Sequence, residues 1–272
     1  MESLAGRAYL LTGGGTGIGA ATALHLARLG ASVTVLGRRR EPLESVAAEV
    51  ERRGGHALAH PADVRDPAAV EAAVEAAVAR FGRIDGLVNN AAGNFVAAAE
   101  DLSPNGWRAV VDIVLNGTWN CTSAVARWMI GAGRPGSVVS VVATYAWTGH
   151  PGTVHSAAAK AGVVAMTRTL AVEWARHGIR LNCVAPGATE TEGAGGALWA
   201  DPEDRERVLA SVPMRRLAAP PEIADLTGFL LSDRAGYVTG AVLTADGGQS
   251  LGRQIYGPPL HADAGSGTGA LR

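Results

Sequence analysis

The chain has 272 residues, of which 47% are apolar and 18% charged, and its formal net charge is −1. This balance is typical of a globular protein with a sizeable core, and it excludes the basic surface that binds nucleic acid and the polybasic segment that binds membranes. Cys121 and Cys183 are too few and too far from other metal ligands for a zinc site, so we expect two reduced, buried thiols and no metal.

The start of the sequence bears on the expected location of the protein. The N-terminus leads directly into "AYLLTGGGTGIG" without a charged leader, a long apolar core or a cleavage site, so we expect cytoplasmic residence. Seven short aliphatic runs follow one another along the chain and predict β-strands. They are residues 8–11, 32–36, 56–60, 86–90, 137–142, 179–184 and 241–245.

Helical patterns of ten or more residues separate these runs. In "DPAAVEAAVEAAVARFG", Asp66 is placed to cap a helix and Pro67 to occupy its first turn. Ser103 and Pro104 open a second helix in the same way. Alternation of almost entirely apolar strands with helices predicts an α/β fold with a parallel sheet covered on both faces. The last segment, 252–272, is rich in glycine, proline and small polar residues, and predicts a flexible tail.

A glycine-rich turn joins the first strand to the first helix. Gly13, Gly17 and Gly19 are spaced so that backbone N–H groups and the helix N-terminus are presented to a ligand, and a pyrophosphate suits such a site. A tight turn or close helix packing would also select glycine. The order of strand, turn and helix favours the nucleotide interpretation.

The end of the second strand bears on the type of nucleotide. An acidic residue there would bind the ribose of NAD, but this chain has Gly37 followed by Arg38, Arg39 and Arg40. An arginine fork matches the 2′-phosphate that distinguishes NADP. The alternative is a solvated helix start, which suits Arg39 and Arg40 better than Arg38. We therefore expect NADP(H) as the cofactor.

Several short motifs together resemble the short-chain dehydrogenase/reductase family. They are "TGGGTGIG", "ADV" at 62–64, "NNAAG" at 89–93, Asn116 in "LNGT", Lys160, "PG" at 186–187 and "DGG" at 246–248. The resemblance implies one Rossmann-type, doubly wound domain over residues 1–251, and a homotetramer. It implies that the cofactor contacts Gly13, Gly14, Thr16, Gly17, Ile18, Gly19, Arg38, Asp63, Val64, Asn90, Lys160, Pro186, Gly187, Ala188 and Thr189.

The chain departs from this family at its catalytic tyrosine and serine. Most members have a tyrosine four residues before the lysine and a serine thirteen residues before that tyrosine. Ser156 and Ala143 occupy these positions here. Either the chain has lost its chemistry or another residue supplies the acid.

Tyr145 is the candidate for that acid. It follows the predicted strand 137–142 directly, and ligands bind above the carboxyl ends of parallel strands. Lys160 is the only lysine in the sequence, against 23 arginines. A nearby ammonium would lower the pKa of the phenol and could bind ribose hydroxyls. The alternative is that Lys160 is an ordinary surface residue.

This displaced arrangement resembles the 2,4-dienoyl-CoA reductase branch of the family, above all the mitochondrial type. The similar segments are 89–95, 102–107, 112–118, 145–149 and 156–174. The resemblance implies that Tyr145 and Asn94 hydrogen-bond the thioester oxygen and that Lys160 and Ser156 hold the cofactor. It also implies that Arg65, Phe95 and Ser103 contact an acyl-CoA. A further arginine of that branch has Ala197 as its nearest counterpart here.

The chemistry of a dienoyl reduction fits these groups. Two donors aimed at the thioester oxygen would stabilise the negative charge that collects there as the diene is reduced. Asn94 could instead be a simple turn residue after Gly93. Three functions remain open: a reductase of a 2,4-dienoyl or related enoyl thioester, a carbonyl reductase or alcohol dehydrogenase that uses Tyr145 and Lys160, and a non-catalytic NADP-binding sensor.

Overall fold

The computed structural model describes residues 3–191, 193 and 201–251. Its seven strands form one parallel sheet in the order β3-β2-β1-β4-β5-β6-β7. The strands are β1 (Ala8–Thr12), β2 (Ser32–Gly37), β3 (His56–Pro61), β4 (Gly86–Asn89), β5 (Gly136–Val141), β6 (Ile179–Pro186) and β7 (Val242–Ala245). Every predicted strand is present, with ends that differ by one or two residues.

Helices cover both faces of the sheet. The helices with named bounds are α1 (Gly17–Arg28), α2 (Arg40–Arg52), α3 (Pro67–Phe81), α4 (Pro104–Val111), α5 (Gly117–Gly131), α6 (Tyr145–Thr148), α7 (Val154–Glu173), α8 (Pro202–Ser211) and α9 (Pro220–Leu231). A π-helical turn, Asp112–Asn116, connects α4 to α5. The doubly wound α/β architecture predicted from the alternation is confirmed.

The core consists of apolar layers on the two faces of the sheet. On one face, Val70 of α3 and Val125 of α5 pack against Leu87 of β4. On the other face, α1, α2 and α9 pack against the same strands through side chains such as Leu26 and Val50. Strands that are buried on both faces need apolar residues at consecutive positions, which explains their continuous aliphatic sequences.

The strand order reverses between β1 and β4, which are neighbours in the sheet although β2 and β3 intervene in the chain. The connections after β1 and β4 therefore leave toward opposite faces, and a crevice opens at the carboxyl ends of these strands. In open α/β sheets, ligands bind at such a crevice. The fold thus brings together the segments that follow β1, β4 and β5.

The local signals for helix starts are also confirmed. The Asp66 side chain accepts hydrogen bonds from two backbone N–H groups in the first turn of α3. The Ser103 hydroxyl oxygen accepts one from the N–H of Gly106 at 3.0 Å at the start of α4. Both caps satisfy donors that a helix cannot satisfy internally.

Both cysteines are buried and neither forms a disulfide. Within the described ranges, no group of three or more histidine, cysteine, aspartate or glutamate side chains could hold a metal ion. Among those same residues, no helix is long and apolar enough to cross a bilayer. The predicted tail, 252–272, lies outside the described residues and stays a prediction.

Gly86→Ala tests the close packing at the centre of the sheet. A methyl group at Gly86 would lie 2.5 Å from the carbonyl oxygen of Ser137 and 2.8 Å from the Tyr9 ring. We expect the free energy of unfolding to fall by about 1–3 kcal/mol in urea titrations because the strands must separate. The control is Gly131→Ala at the end of α5, where the added methyl group meets nothing within 4 Å. Equal stability of the two variants would show that the strands accommodate the methyl group without cost.

Candidate active site

The glycine-rich turn between β1 and α1 can be formed only with glycine at key positions. Gly13 and Gly17 have φ angles of +62° and +53°, which side chains other than glycine rarely adopt. A Cβ atom on Gly19 would lie 2.1 Å from the carbonyl oxygen of Gly13. The first turn of α1 contains no acidic residue, so its N-terminus suits an anion.

Hydrogen bonds to residues that follow β4 hold the turn in place. The Thr12 hydroxyl oxygen accepts the backbone N–H groups of Asn90 at 3.0 Å and Ala91 at 2.9 Å. The side-chain amide of Asn90 donates to the carbonyl oxygen of Gly13 at 3.1 Å. Asn90 therefore lines the site and fixes the shape of the turn at the same time.

A cavity of about 510 Å³ runs from this turn to the carboxyl end of β5. Twelve of the residues predicted from the sequence line it. They are Gly13, Thr16, Gly17, Ile18, Arg38, Asp63, Val64, Asn90, Asn94, Tyr145, Ser156 and Lys160. The fold thus brings predicted cofactor and catalytic residues from distant segments of the chain into one space.

Other predicted cofactor residues lie outside the lining. Gly14 packs against Val35 of β2, and Gly19 packs under the turn. Pro186 ends β6. The other three continue from β6 and bond within the protein: the Gly187 N–H donates to Ala245, Ala188 accepts the N–H of Ala218, and the Thr189 hydroxyl donates to Gly187. Their cofactor contacts stay predictions.

Arginine side chains line one end of the cavity. Arg38 and Arg39 both border it and are exposed. Arg40 does not border it, and its guanidinium lies 3.3 Å from the Glu44 carboxylate one turn along α2. Two exposed guanidinium groups beside a cavity suit a phosphate, whereas Arg40 is occupied elsewhere.

The three predicted substrate residues do not line the cavity. Arg65 forms an ion pair with Asp63 at 2.6 Å, which lowers the pKa of that carboxyl group, and its side chain is not part of the cavity lining. Ser103 caps α4. Phe95 follows Asn94 but packs against an apolar cluster instead of lining the cavity. Their substrate contacts stay predictions.

Tyr145 is the first residue of α6, just beyond the end of β5. Its hydroxyl lies 3.1 Å from the Ser156 hydroxyl on α7. Burial raises the pKa of Tyr145, and the hydrogen bond with Ser156 opposes this shift in part. The expectation that Lys160 lowers the pKa of this phenol was wrong, because desolvation outweighs every other influence and the ammonium is engaged elsewhere.

Lys160 points into the same site from the next turn of α7. It is 7% exposed, and its ammonium donates to the carbonyl oxygen of Val141 at 2.5 Å. Burial lowers its pKa to about 8. A buried ammonium held by one backbone oxygen excludes the surface-residue alternative and leaves two N–H donors for a ligand.

Asn94 borders the same cavity as Tyr145. Its side-chain oxygen accepts the backbone N–H of Phe95 at 3.0 Å. Because the oxygen is used in this way, the amide nitrogen is the part of the side chain available to a ligand. The local bond also shows that the turn interpretation and the donor interpretation of Asn94 are compatible.

The cavity is also lined by residues that were not predicted as site residues. They are Gly15, Gly37, Arg39, Pro42, Leu43, Ala62, Ala91, Ala92, Gly93, Ile113, Thr191 and Gly193. Most adjoin predicted residues, but Thr191 and Gly193 come from the segment after β6, where no local signal marked them. Asn116 donates to the Asp112 carboxylate at 2.8 Å within the π-helical turn. Ala197 lies outside the described residues.

This arrangement separates the site into two functional parts. One part, the glycine turn with the arginines, suits the phosphates of a dinucleotide. The other part places a protonated phenol, an amide nitrogen and an ammonium around one space. Such donors can orient a carbonyl group and stabilise negative charge on its oxygen.

Comparison with known proteins agrees with this geometry. Residues 13–250 match the family model described as "Enoyl-(Acyl carrier protein) reductase". A protein of Bacillus subtilis named "Probable 2,4-dienoyl-CoA reductase [(2E)-enoyl-CoA-producing]" is 48% identical over 246 residues, which cover 90% of this chain and 97% of that protein.

Two solved structures extend the comparison. The crystal structure of a short chain dehydrogenase from Bacillus anthracis has a TM-score of 0.84 and 46% identity, covering 92% of this chain and 98% of that one. An Agrobacterium tumefaciens protein with bound NADP, described provisionally as a 2-deoxy-d-gluconate 3-dehydrogenase, has a TM-score of 0.84 and 36% identity, covering 92% and 98%.

Lys160 can be studied directly because it is the only lysine. With ¹⁵N-lysine labelling, its ammonium should titrate in the cofactor-free protein with a midpoint of about 8. The unfolded lysine has a pKa of about 10.4, so between the two values the unfolded lysine binds more protons and the contribution of Lys160 to the free energy of unfolding should rise with pH. The raised pKa values of Cys121, Cys183 and Tyr145 act in the opposite direction. Urea titrations should therefore show a more positive pH dependence in the native protein than in Lys160→Met. A midpoint at the ordinary lysine value would refute the burial argument.

Proposed function

We propose that this chain, which belongs to the short-chain dehydrogenase/reductase family, uses NADPH to reduce a 2,4-dienoyl thioester or a related enoyl thioester. The observation that carries the proposal is the 3.1 Å contact between Tyr145 and Ser156. It puts a phenol from α6 beside the position on α7 where most of the family has its tyrosine. The similarity to the Bacillus subtilis protein supports the same substrate class.

The residues around the cavity fit NADP(H). The turn with Gly13, Gly17 and Gly19 forms a cradle that any Cβ atom would obstruct or strain. Arg38 would bind the 2′-phosphate, and Lys160 and Ser156 would hold the nicotinamide ribose. When bound, NADPH supplies the hydride that adds to the far carbon of the diene.

The side chains of Tyr145 and Asn94 would act on the thioester oxygen. As the diene is reduced, electron density moves to this oxygen and a dienolate forms. The raised pKa of Tyr145 keeps the phenol protonated at neutral pH, so it can donate a hydrogen bond to that oxygen. A donor of this type is worth about 3 kcal/mol in the transition state. A proton from solvent on carbon completes the reduction.

A second candidate is a carbonyl reductase or alcohol dehydrogenase that uses Tyr145 and Lys160. The 36% identical Agrobacterium protein, described provisionally as a 2-deoxy-d-gluconate 3-dehydrogenase, favours it. A non-catalytic NADP-binding sensor is a lesser alternative. Oxidation of NADPH with 2,4-hexadienoyl-CoA supports the main proposal, oxidation with ketones alone supports the second candidate, and binding without turnover supports the sensor.

The remaining proposals concern substrate and assembly. Arg65, Phe95 and Ser103 would contact the acyl-CoA, and the choice between coenzyme A and a carrier protein is tested by offering both thioesters. The homotetramer and the cytoplasmic location also stay proposals. Sedimentation of the purified protein tests the tetramer.

Tyr145→Phe removes the proposed donor to the thioester oxygen. We expect kcat with 2,4-hexadienoyl-CoA to fall by about a hundredfold to a thousandfold, as for other oxyanion donors. Ser156→Ala should cost only about tenfold because it removes a supporting hydrogen bond. Nicotinamide fluorescence checks that each variant still binds NADPH. A larger loss for Ser156→Ala than for Tyr145→Phe would overturn the assignment of the donor.

Arg38→Ala tests the choice of cofactor. Loss of a charge-assisted hydrogen bond to the 2′-phosphate should raise KM for NADPH by about tenfold to a hundredfold and leave KM for NADH nearly unchanged. Arg40→Ala is the matched control, since Arg40 pairs with Glu44 and does not line the cavity. Equal effects of Arg38→Ala on both cofactors would exclude this role.

A further inference from the structure

A fully buried histidine lies beside the site. His155 belongs to the first turn of α7 and precedes Ser156 directly. It is 0% exposed, and within the described part of the chain neither ring nitrogen has a hydrogen-bond partner. An unpaired buried polar group lowers stability, and an apolar ring would fill this space without that penalty. The imidazole therefore needs an explanation beyond packing.

His155 contacts Phe95, the residue that follows Asn94 in the chain. The imidazole lies edge-on to the ring of Phe95, with centroids 4.5 Å apart and planes at 61°. The backbone N–H of Phe95 donates to the Asn94 side-chain oxygen at 3.0 Å. The position of Phe95 therefore affects the direction in which the Asn94 amide nitrogen can donate.

The loop that contains Asn94 and Phe95 is hydrogen-bonded to the segment that precedes α7. The N–H of Ala97 donates to the carbonyl oxygen of Gly152 at 3.0 Å. Phe95 also lies close to α4, since a Cβ atom on Gly106 would be 3.1 Å from the ring. His155 thus fills the space between α7 and a loop that is held at two other points.

The environment of His155 favours an uncharged ring. Burial lowers its pKa, and a positive charge in the first turn of a helix is unfavourable. The ionisable side chains on the elements packed around it bond elsewhere or lie exposed. They are Tyr145 on α6, Lys160 on α7, His150 in the intervening loop, Arg108 on α4, Asp112 in the π-helical turn, and Glu100 and Asp101 in the segment that follows Phe95. None of them offers a counter-charge to an imidazolium.

We propose that His155 is a positioning residue for the reduction: its uncharged imidazole fixes Phe95, and Phe95 fixes the Asn94 donor relative to Tyr145. This inference rests on the proposed function of Asn94. Because that donor acts on charge that forms only in the transition state, losing the positioning lowers kcat more than it raises KM. Protonation of His155 in acid has the same effect as removing the ring, since a buried cation without a partner disrupts the contact.

Kinetics across about pH 5 to 8 test the proposal, the range in which histidine changes charge. In the native protein, kcat with 2,4-hexadienoyl-CoA should fall on the acid side with an apparent pKa below the ordinary value of about 6.5. In His155→Phe, which keeps an aromatic ring but cannot titrate, this acid limb should disappear. The matched control is His150→Gln, an exposed histidine in the loop before α7, which should keep the limb.

His155→Ala separates positioning from structural support. We expect kcat at neutral pH to fall about tenfold with a change in KM of less than about threefold, the pattern of an interaction used only in the transition state. NADPH affinity, measured by fluorescence, should stay close to that of the native protein because Lys160 and Ser156 are intact. A native kcat and pH profile in His155→Ala, or loss of the limb in His150→Gln, would overturn the proposal.

A readout without turnover distinguishes this inference from the proposed function. The side-chain amide resonance of Asn94, assigned with Asn94→Ala, should move in His155→Ala and during the acid titration of His155. If the native protein does not reduce dienoyl thioesters yet the resonance moves, the function fails and the positioning of Asn94 stands. If dienoyl thioesters are reduced and the resonance does not move, the function stands and the role of His155 is refuted.

Discussion

The hydrogen bond between the hydroxyls of Tyr145 and Ser156 is the interaction on which the site depends. It joins α6, which follows β5, to α7, which carries Lys160, and so fixes a phenol and an ammonium around one cavity. The Ser156 side chain is buried and Tyr145 is half-buried, so the bond is partly shielded from water. A partly buried bond sets the orientation of the phenol more firmly than a fully exposed contact would.

Burial acts on the two groups in opposite directions. It raises the pKa of Tyr145 and lowers that of Lys160 to about 8. Each shift favours the neutral form, so the phenol remains a donor while the lysine is charged at pH 7 by a small margin. Among the described residues, Asp63 is the one carboxylate that lines the cavity, and it is paired with Arg65. Negative charge on a ligand beside Tyr145 and Lys160 would therefore meet hydrogen-bond donors and little electrostatic repulsion.

Sequence patterns were sufficient where a single segment determines its own structure. The strands followed from consecutive apolar residues, because a sheet buried on both faces requires them. The caps at Asp66 and Ser103 followed from side chains that bond to backbone groups two or three residues away. The glycine turn followed from backbone angles that other residues rarely adopt. The candidate site was found in other ways: Tyr145 follows the predicted strand 137–142 and Lys160 is the only lysine, whereas the role of Asn94 was implied by the resemblance to 2,4-dienoyl-CoA reductases.

The sequence by itself determined the order of strands and helices, the nucleotide-type turn and the identity of the residues that meet above the sheet. Only the tertiary structure decided how these residues act on one another. The pKa of Tyr145 moved in the direction opposite to the one expected from Lys160, Arg65 proved to be paired with Asp63, and His155 proved to be enclosed against Phe95. Desolvation, ion pairing and ring contacts depend on distances between groups that the chain order leaves open. Those distances exist only after the helices have packed on the sheet.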